Sequence, residues 1–132
     1  MEGKPLFYSH LHAFYPLERL FMIPPSTPHT VFFVSDGTGI TAETLGHSLL
    51  SQFEGIQTAQ VRMPFIDSIA KASDCVAKIN AAGIKDGNRA IVISTLVNPE
   101  TVMVLHQANA LILDFFGAFI SPLEAEFDLK SS

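Results

Sequence analysis

TVFFVSDGTGITAETLGHSLLSQF, residues 30–53, changes its apolar period partway along, and that change decides the fold. Its first seven residues, TVFFVSD, are β-branched and aromatic, which is the composition of a short buried strand. From 41 to 53, Ala42, Leu45, Leu49, Leu50 and Phe53 fall at helical spacing, so a helix is expected there with that stripe facing inward. Between the two lies a Gly/Thr turn, DGTGIT, that carries the end of the strand onto the start of the helix.

The unit repeats in both composition and order. TAQVRMPF (58–65) reads as a second strand, and over 68–82 Ile69, Ala72, Val76 and Ile79 form one helical stripe before AAG and KDGN break it. RAIVISTLV (89–97) is a third strand, after which Asn98 caps a helix over 99–109 that starts on Pro99. ALILDFF (110–116) is a fourth, and in SPLE the pair Ser121 and Glu124 forms a capping box with Pro122 first in a helix over 122–128. Strands alternating with helices predict an α/β domain over 30–132, a Rossmann-like parallel sheet of about four strands with flanking helices on both faces. Residues 1–29 are expected to be a disordered or extended arm, because IPPSTPH sets three prolines in seven residues. Met22 is a candidate start for the chain, and a short docking arm is the alternative reading of what precedes it.

With 48% hydrophobic and 16% charged residues in 132, the composition is that of one globular domain. The net charge of −5 and the lack of any basic run argue against nucleic acid or an anionic membrane as partner. The single cysteine, Cys75, has no internal partner and sits in DCVAKI, which reads as helix core; a buried thiol in a reducing, cytoplasmic setting follows. Lys4, His10, His12, Glu18 and Arg19 interrupt the first 29 residues, so no secretory h-region is expected there. The most apolar run, ALILDFFGAFI, is too short to span a bilayer and carries Asp114, so a soluble protein is expected.

In parallel α/β sheets ligands bind at the carboxyl ends of the strands. Here those ends supply Ser35, Asp36, Thr38, Thr41, Asp67, Ser68, Ser94, Thr95, Asn98, Glu100 and Asp114, and no Lys or Arg. The opening turn is therefore not a Walker A loop, which needs a Lys for the β/γ-phosphates. GTGITA (37–42) does match the G-x-G-x-x-A dinucleotide fingerprint, for which Asp67 is the available ribose acid. Three readings stay open: an anion held at the helix N-terminus, a plain tight turn with Thr41 as cap, and dinucleotide binding. Asp36, at the end of a buried strand, either serves function or caps nearby backbone N–H groups. His47 lies off the apolar stripe and reads as a solvated surface histidine, and His106 as structural or solvated. No metal site is expected.

The segments TVFFVSDGTGITAETLGHSLLSQF, MPFIDS, AIVISTLVNPE and LILDFFGAFISPLEAEF together resemble the N-terminal half of the bacterial pyruvate, phosphate dikinase and phosphoenolpyruvate synthase regulatory proteins, the family once labelled DUF299. The resemblance covers residues 30–128. It implies a bifunctional enzyme: a serine/threonine kinase that uses ADP to phosphorylate a threonine of the synthase or dikinase, and a phosphorylase that removes that phosphate with inorganic phosphate and releases pyrophosphate. ADP, inorganic phosphate and Mg2+ are the implied cofactors, with none expected to bind this chain tightly. The same resemblance disfavours a dinucleotide. The glycines of the opening loop and the helix N-terminus behind it make Gly37, Thr38, Gly39 and Thr41 the expected contacts of a phosphate or the phosphorylated substrate, with Asp36 the candidate catalytic residue that orients the site. The family's nucleotide P-loop, with its Lys, has no counterpart in this sequence, so this chain is expected to be inactive alone and prone to self-association. A non-catalytic α/β module that contacts the target enzyme is the alternative.

Overall fold

The computed structural model describes residues 28–131; the expected arm up to residue 27, with Met22, lies outside the described residues. Among the described residues four strands and four helices alternate: β1 His29–Val34, α1 Ile40–Leu50, β2 Thr58–Met63, α2 Ile69–Asp86, β3 Ala90–Ser94, α3 Pro99–Leu105, β4 Ala110–Asp114 and α4 Phe115–Phe127. The strands form one parallel sheet in the order β2-β1-β3-β4. The expected α/β class and strand count are borne out.

Alternate residues of the buried central strands feed two cores. Phe32, Val34 and Val92 pack with Ala72, Cys75 and Ile79 of α2 and Leu105 of α3 on one face. Val31, Phe33 and Ile93 pack with Ala42 of α1 on the other. Helix α1 can sit this close because Gly46 lies against the Phe33 ring, where any Cβ would collide with it. β2 is an edge strand with exposed residues, and Arg62 and Gln60, in register with Phe33 and Val31, share the α1 face.

Each strand ends two to three residues before the sequence reading, and the helix bounds depart from it at four places, each for a local reason. Helix α1 ends at Leu50 and not 53: Gln52 and Phe53 donate to the Leu49 and Leu50 carbonyls in a turn, and Phe53 is exposed rather than on the inner stripe, as is Leu49. Helix α2 runs through Gly83 to Asp86, because the stop is Gly87, whose φ of 67° allows its N–H to close back on the Ile84 carbonyl. Its inner stripe is Ala72, Cys75 and Ile79, with Ile69 exposed. Helix α3 ends at Leu105, and 106–108 form a turn. Helix α4 starts seven residues before the expected Pro122, since Asp114 Oδ1 accepts the Gly117 N–H at 3.0 Å and Phe115 and Phe116 leave the strand for the helix.

Candidate functional site

The strand order reverses between β1 and β3: the chain leaves β1 toward β2 on one side and leaves β3 toward β4 on the other. α1 accordingly covers one face of the sheet while α2 and α3 cover the other, and a crevice lies at the carboxyl ends of β1 and β3. That crevice, about 250 Å³, is lined by Ser35, Asp36, Gly37, Thr38, Gly39, Ile40, Thr41, Thr95 and Phe116.

The loop after β1 is held from both neighbours. Thr95 N–H donates to the Val34 carbonyl at 3.0 Å, Ile66 N–H to the Ser35 carbonyl at 2.8 Å, and Phe65 N–H to the Gly37 carbonyl at 2.9 Å. Phe65 makes its bond with φ at 59°, a left-handed conformation that is uncommon for a bulky residue and that its surroundings must hold in place. Ser35 Oγ accepts the Gly37 N–H at 3.0 Å, closing the turn. Of the two loop glycines only Gly39 is demanded by backbone geometry, with φ at 89°; a side chain on Gly37 would meet little.

Gly39 is also the N-cap of α1, and no side chain caps that helix. Thr41 therefore does not serve as the cap, one of the readings left open by the sequence, but lies exposed in the first turn. The first N–H groups of α1 face the crevice with the positive end of the helix dipole behind them. Beside them stands Thr95, only 5% exposed; among the described residues its hydroxyl has no hydrogen-bond partner. A buried hydroxyl without a partner carries a desolvation cost that a ligand atom can relieve. Asp36 is exposed at the mouth, and no backbone N–H among the described residues is capped by it. The crevice thus offers backbone donors, one buried hydroxyl and one solvated carboxylate, a set suited to holding a phosphate and orienting a hydroxyl.

Most other polar residues at the strand ends have structural partners. Ser68 caps α2 at Lys71 N, 3.2 Å, and Asn98 Oδ1 caps α3 at Glu100 N and Thr101 N, 2.8 and 3.3 Å, as expected from Pro99 beside it. Ser94 Oγ accepts Leu96 N–H at 3.1 Å. Asp67 pairs with Lys71 at 2.9 Å, which holds its carboxyl below the usual range and occupies the one acid that a dinucleotide ribose would use. His47 is exposed but engaged, 2.8 Å from Gln60 Oε1 and edge-on to Phe33. His106 ends α3 with its ring 3.8 Å from Asp114 Oδ2. Cys75 is buried, and burial pushes its thiol up to about 11.

Two residues near the crevice were not singled out from the sequence. Phe116 reaches it from the start of α4, which the sequence pattern placed later. Arg62 corrects the inventory of strand ends as free of cations: next to last in β2, it lays its Cγ and Cδ within 3.2 and 3.4 Å of where a Cβ on Gly39 would stand, and its Nη2 donates to Glu43 Oε1 at 2.6 Å. Its position two residues before Pro64 and on the α1 face was available from strand alternation. Among the described residues no group of three or more His, Cys, Asp or Glu is placed to hold a metal, and no helix is long and apolar enough to cross a membrane.

Comparison with known proteins places the chain in a family. The family model described as kinase/pyrophosphorylase matches residues 31–132. The chain is 61% identical over 103 residues to a protein of Azoarcus sp. (strain BH72), 56% to one of Aromatoleum aromaticum and 54% to one of Alcanivorax borkumensis. All three are provisionally named phosphoenolpyruvate synthase regulatory proteins. The matches cover 78% of this chain but 37 to 38% of those relatives, so the chain spans less than two-fifths of their length. With most of its length inside the family model, including the whole crevice, this chain belongs to the kinase/pyrophosphorylase family.

Proposed function

We propose that the chain is the N-terminal portion of a bifunctional enzyme that regulates phosphoenolpyruvate synthase, or pyruvate, phosphate dikinase, by reversible phosphorylation of a threonine. As a kinase it draws the phosphoryl group from ADP; as a phosphorylase it passes that group to inorganic phosphate and releases pyrophosphate. The observation that carries this reading is the crevice between β1 and β3, where an uncapped helix N-terminus meets the buried hydroxyl of Thr95, which has no hydrogen-bond partner among the described residues. Family membership and the relatives' names support the target and the chemistry.

In this reading the N–H groups of residues 38–41 and the Thr95 hydroxyl hold the phosphoryl group, and Gly39 lets the backbone approach it. The Asp36 carboxylate accepts a hydrogen bond from the target's threonine hydroxyl and aims that oxygen at phosphorus. ADP and Mg2+ belong with a P-loop, and no G-x-x-x-x-G-K-[ST] occurs in this sequence, so the chain by itself binds phosphate but does not turn over. A second reading, a non-catalytic module that docks on the target, is favoured by the apolar residues left exposed on β4 and α4. Replacing the residues equivalent to Asp36 and Thr38 by Ala in a full-length relative separates the two. Loss of label transfer to and from threonine is expected, and unchanged activities would sink the catalytic reading.

A further inference from the structure

We propose that Arg62 is the cation of the phosphate site in the β1–β3 crevice, held by Glu43 while the site is empty and turned to the phosphate when one binds. This rests on the loop reading above and adds to it the charge that the strand-end inventory lacked.

The stem of Arg62 lies on Gly39, the N-cap of α1, while its guanidinium, just beyond Cδ, pairs with Glu43 in the first turn of the same helix. Rotation about the last side-chain bonds carries the guanidinium from Glu43 toward the free N–H groups of that turn without moving the stem. The pair is easily exchanged, since the Arg62 and Glu43 side chains are 48% and 29% exposed and solvent-exposed ion pairs are weak. A phosphate offers the planar guanidinium two oxygens and a fuller charge than one carboxylate. Glu43 is also unfavourable to any anion at its own helix start, so the move of Arg62 trades one charge contact for another on the same turn. The geometry at Gly39 adds a reason for glycine there beyond its φ: a side chain would displace the Arg62 stem. Thr95, on a different strand end, is the independent sign that the crevice takes a ligand.

The test is titration of the 132-residue chain with inorganic phosphate at fixed ionic strength, by calorimetry and by the ¹⁵N shift of the Arg62 Nε. Arg62→Gln is expected to weaken binding roughly ten- to hundredfold, the range for a charge-assisted hydrogen bond. Glu43→Gln is expected to tighten it, a change that a folding defect cannot imitate, and the double variant to bind well below Glu43→Gln, regaining only the part of the loss that the Glu43 charge itself accounts for. Failure of both the unaltered chain and Glu43→Gln to bind phosphate would overturn the loop reading itself. Phosphate binding that Arg62→Gln leaves untouched would overturn this inference alone. Recovery of full affinity in the double variant would do so too, since Arg62 would then only neutralise Glu43.

Discussion

Thr95 and Asp36 sit at the same crevice in opposite states, one hydroxyl buried without a partner among the described residues and one carboxylate in water. The contrast suits a site in which the buried group receives a ligand and the solvated group meets an incoming side chain. It also separates function from stability at a single position. A buried, unmade hydrogen bond costs about 1–3 kcal/mol, so Thr95→Val, which keeps the shape and removes the hydroxyl, is expected to raise stability by about 1 kcal/mol in thermal unfolding. The same variant is expected to bind phosphate about three- to tenfold more weakly, the worth of one neutral hydrogen bond. A fall in Tm for Thr95→Val would show instead that the hydroxyl has a structural bond. Cys75 yields a second residue-scale expectation. Its folded pKa of about 11 stands above the ordinary 9.0, so the folded state keeps its proton where the unfolded chain loses it. Stability is therefore intact below pH 9 and declines as pH rises from 9 to 11, by on the order of 2 kcal/mol. Chemical denaturation of Cys75→Ala across that window should lack this decline, apart from what the lysines contribute.

At the level of elements, what was legible in the sequence follows from which signals are local. The strand periods, the Asn98 cap with Pro99, and the buried α2 stripe through Ala72 and Ile79 depend on near neighbours, and the structure keeps them. The start of α4 was misread because two local signals compete: Ser121 and Glu124 make a good capping box, yet Asp114 closes the helix first and Pro122 is carried inside it. Asp114→Ala is accordingly expected to cost about 1 kcal/mol, while Ser121→Ala, on an exposed mid-helix residue, changes little. The reverse order in urea unfolding would restore the later start. The crevice was legible as a set of strand ends but not as a place, since strand order is not written in periodicity. The adjacency of β1 and β3 in the order β2-β1-β3-β4 is what brings Thr95 to the Gly39 loop. Arg62 was missed for a related reason: its side chain reaches back over Gly39 from an edge strand, a contact between residues 23 apart that no local pattern reports.

Across the whole molecule the cover on the sheet is uneven. α2 and α3 lie over one face, whereas on the other α1 packs on Val31, Phe33 and Ile93 and leaves the β4 side bare, with Leu111 and Leu113 40% and 39% exposed. α4 leaves this bare side uncovered: none of its residues is buried, and Phe119, Leu123 and Phe127 stand out on it. An apolar sheet face next to an apolar helix is the kind of surface that monomeric proteins rarely leave in water. The chain spans 37 to 38% of its relatives' length, and in such a relative further polypeptide is available to cover it. In this chain alone, association between copies is the expected substitute, with apparent mass in sedimentation velocity rising with concentration. Leu111 and Leu113 are in register with Ile91 and Ile93 on the side away from α2 and α3, so charges placed there face solvent and not the main core. Leu111→Glu/Leu113→Glu should thus shift the chain toward monomer while leaving its circular dichroism unchanged. A double variant that still associates would show that α4 supplies the contact, and a chain that is monomeric throughout would mean that this face tolerates water.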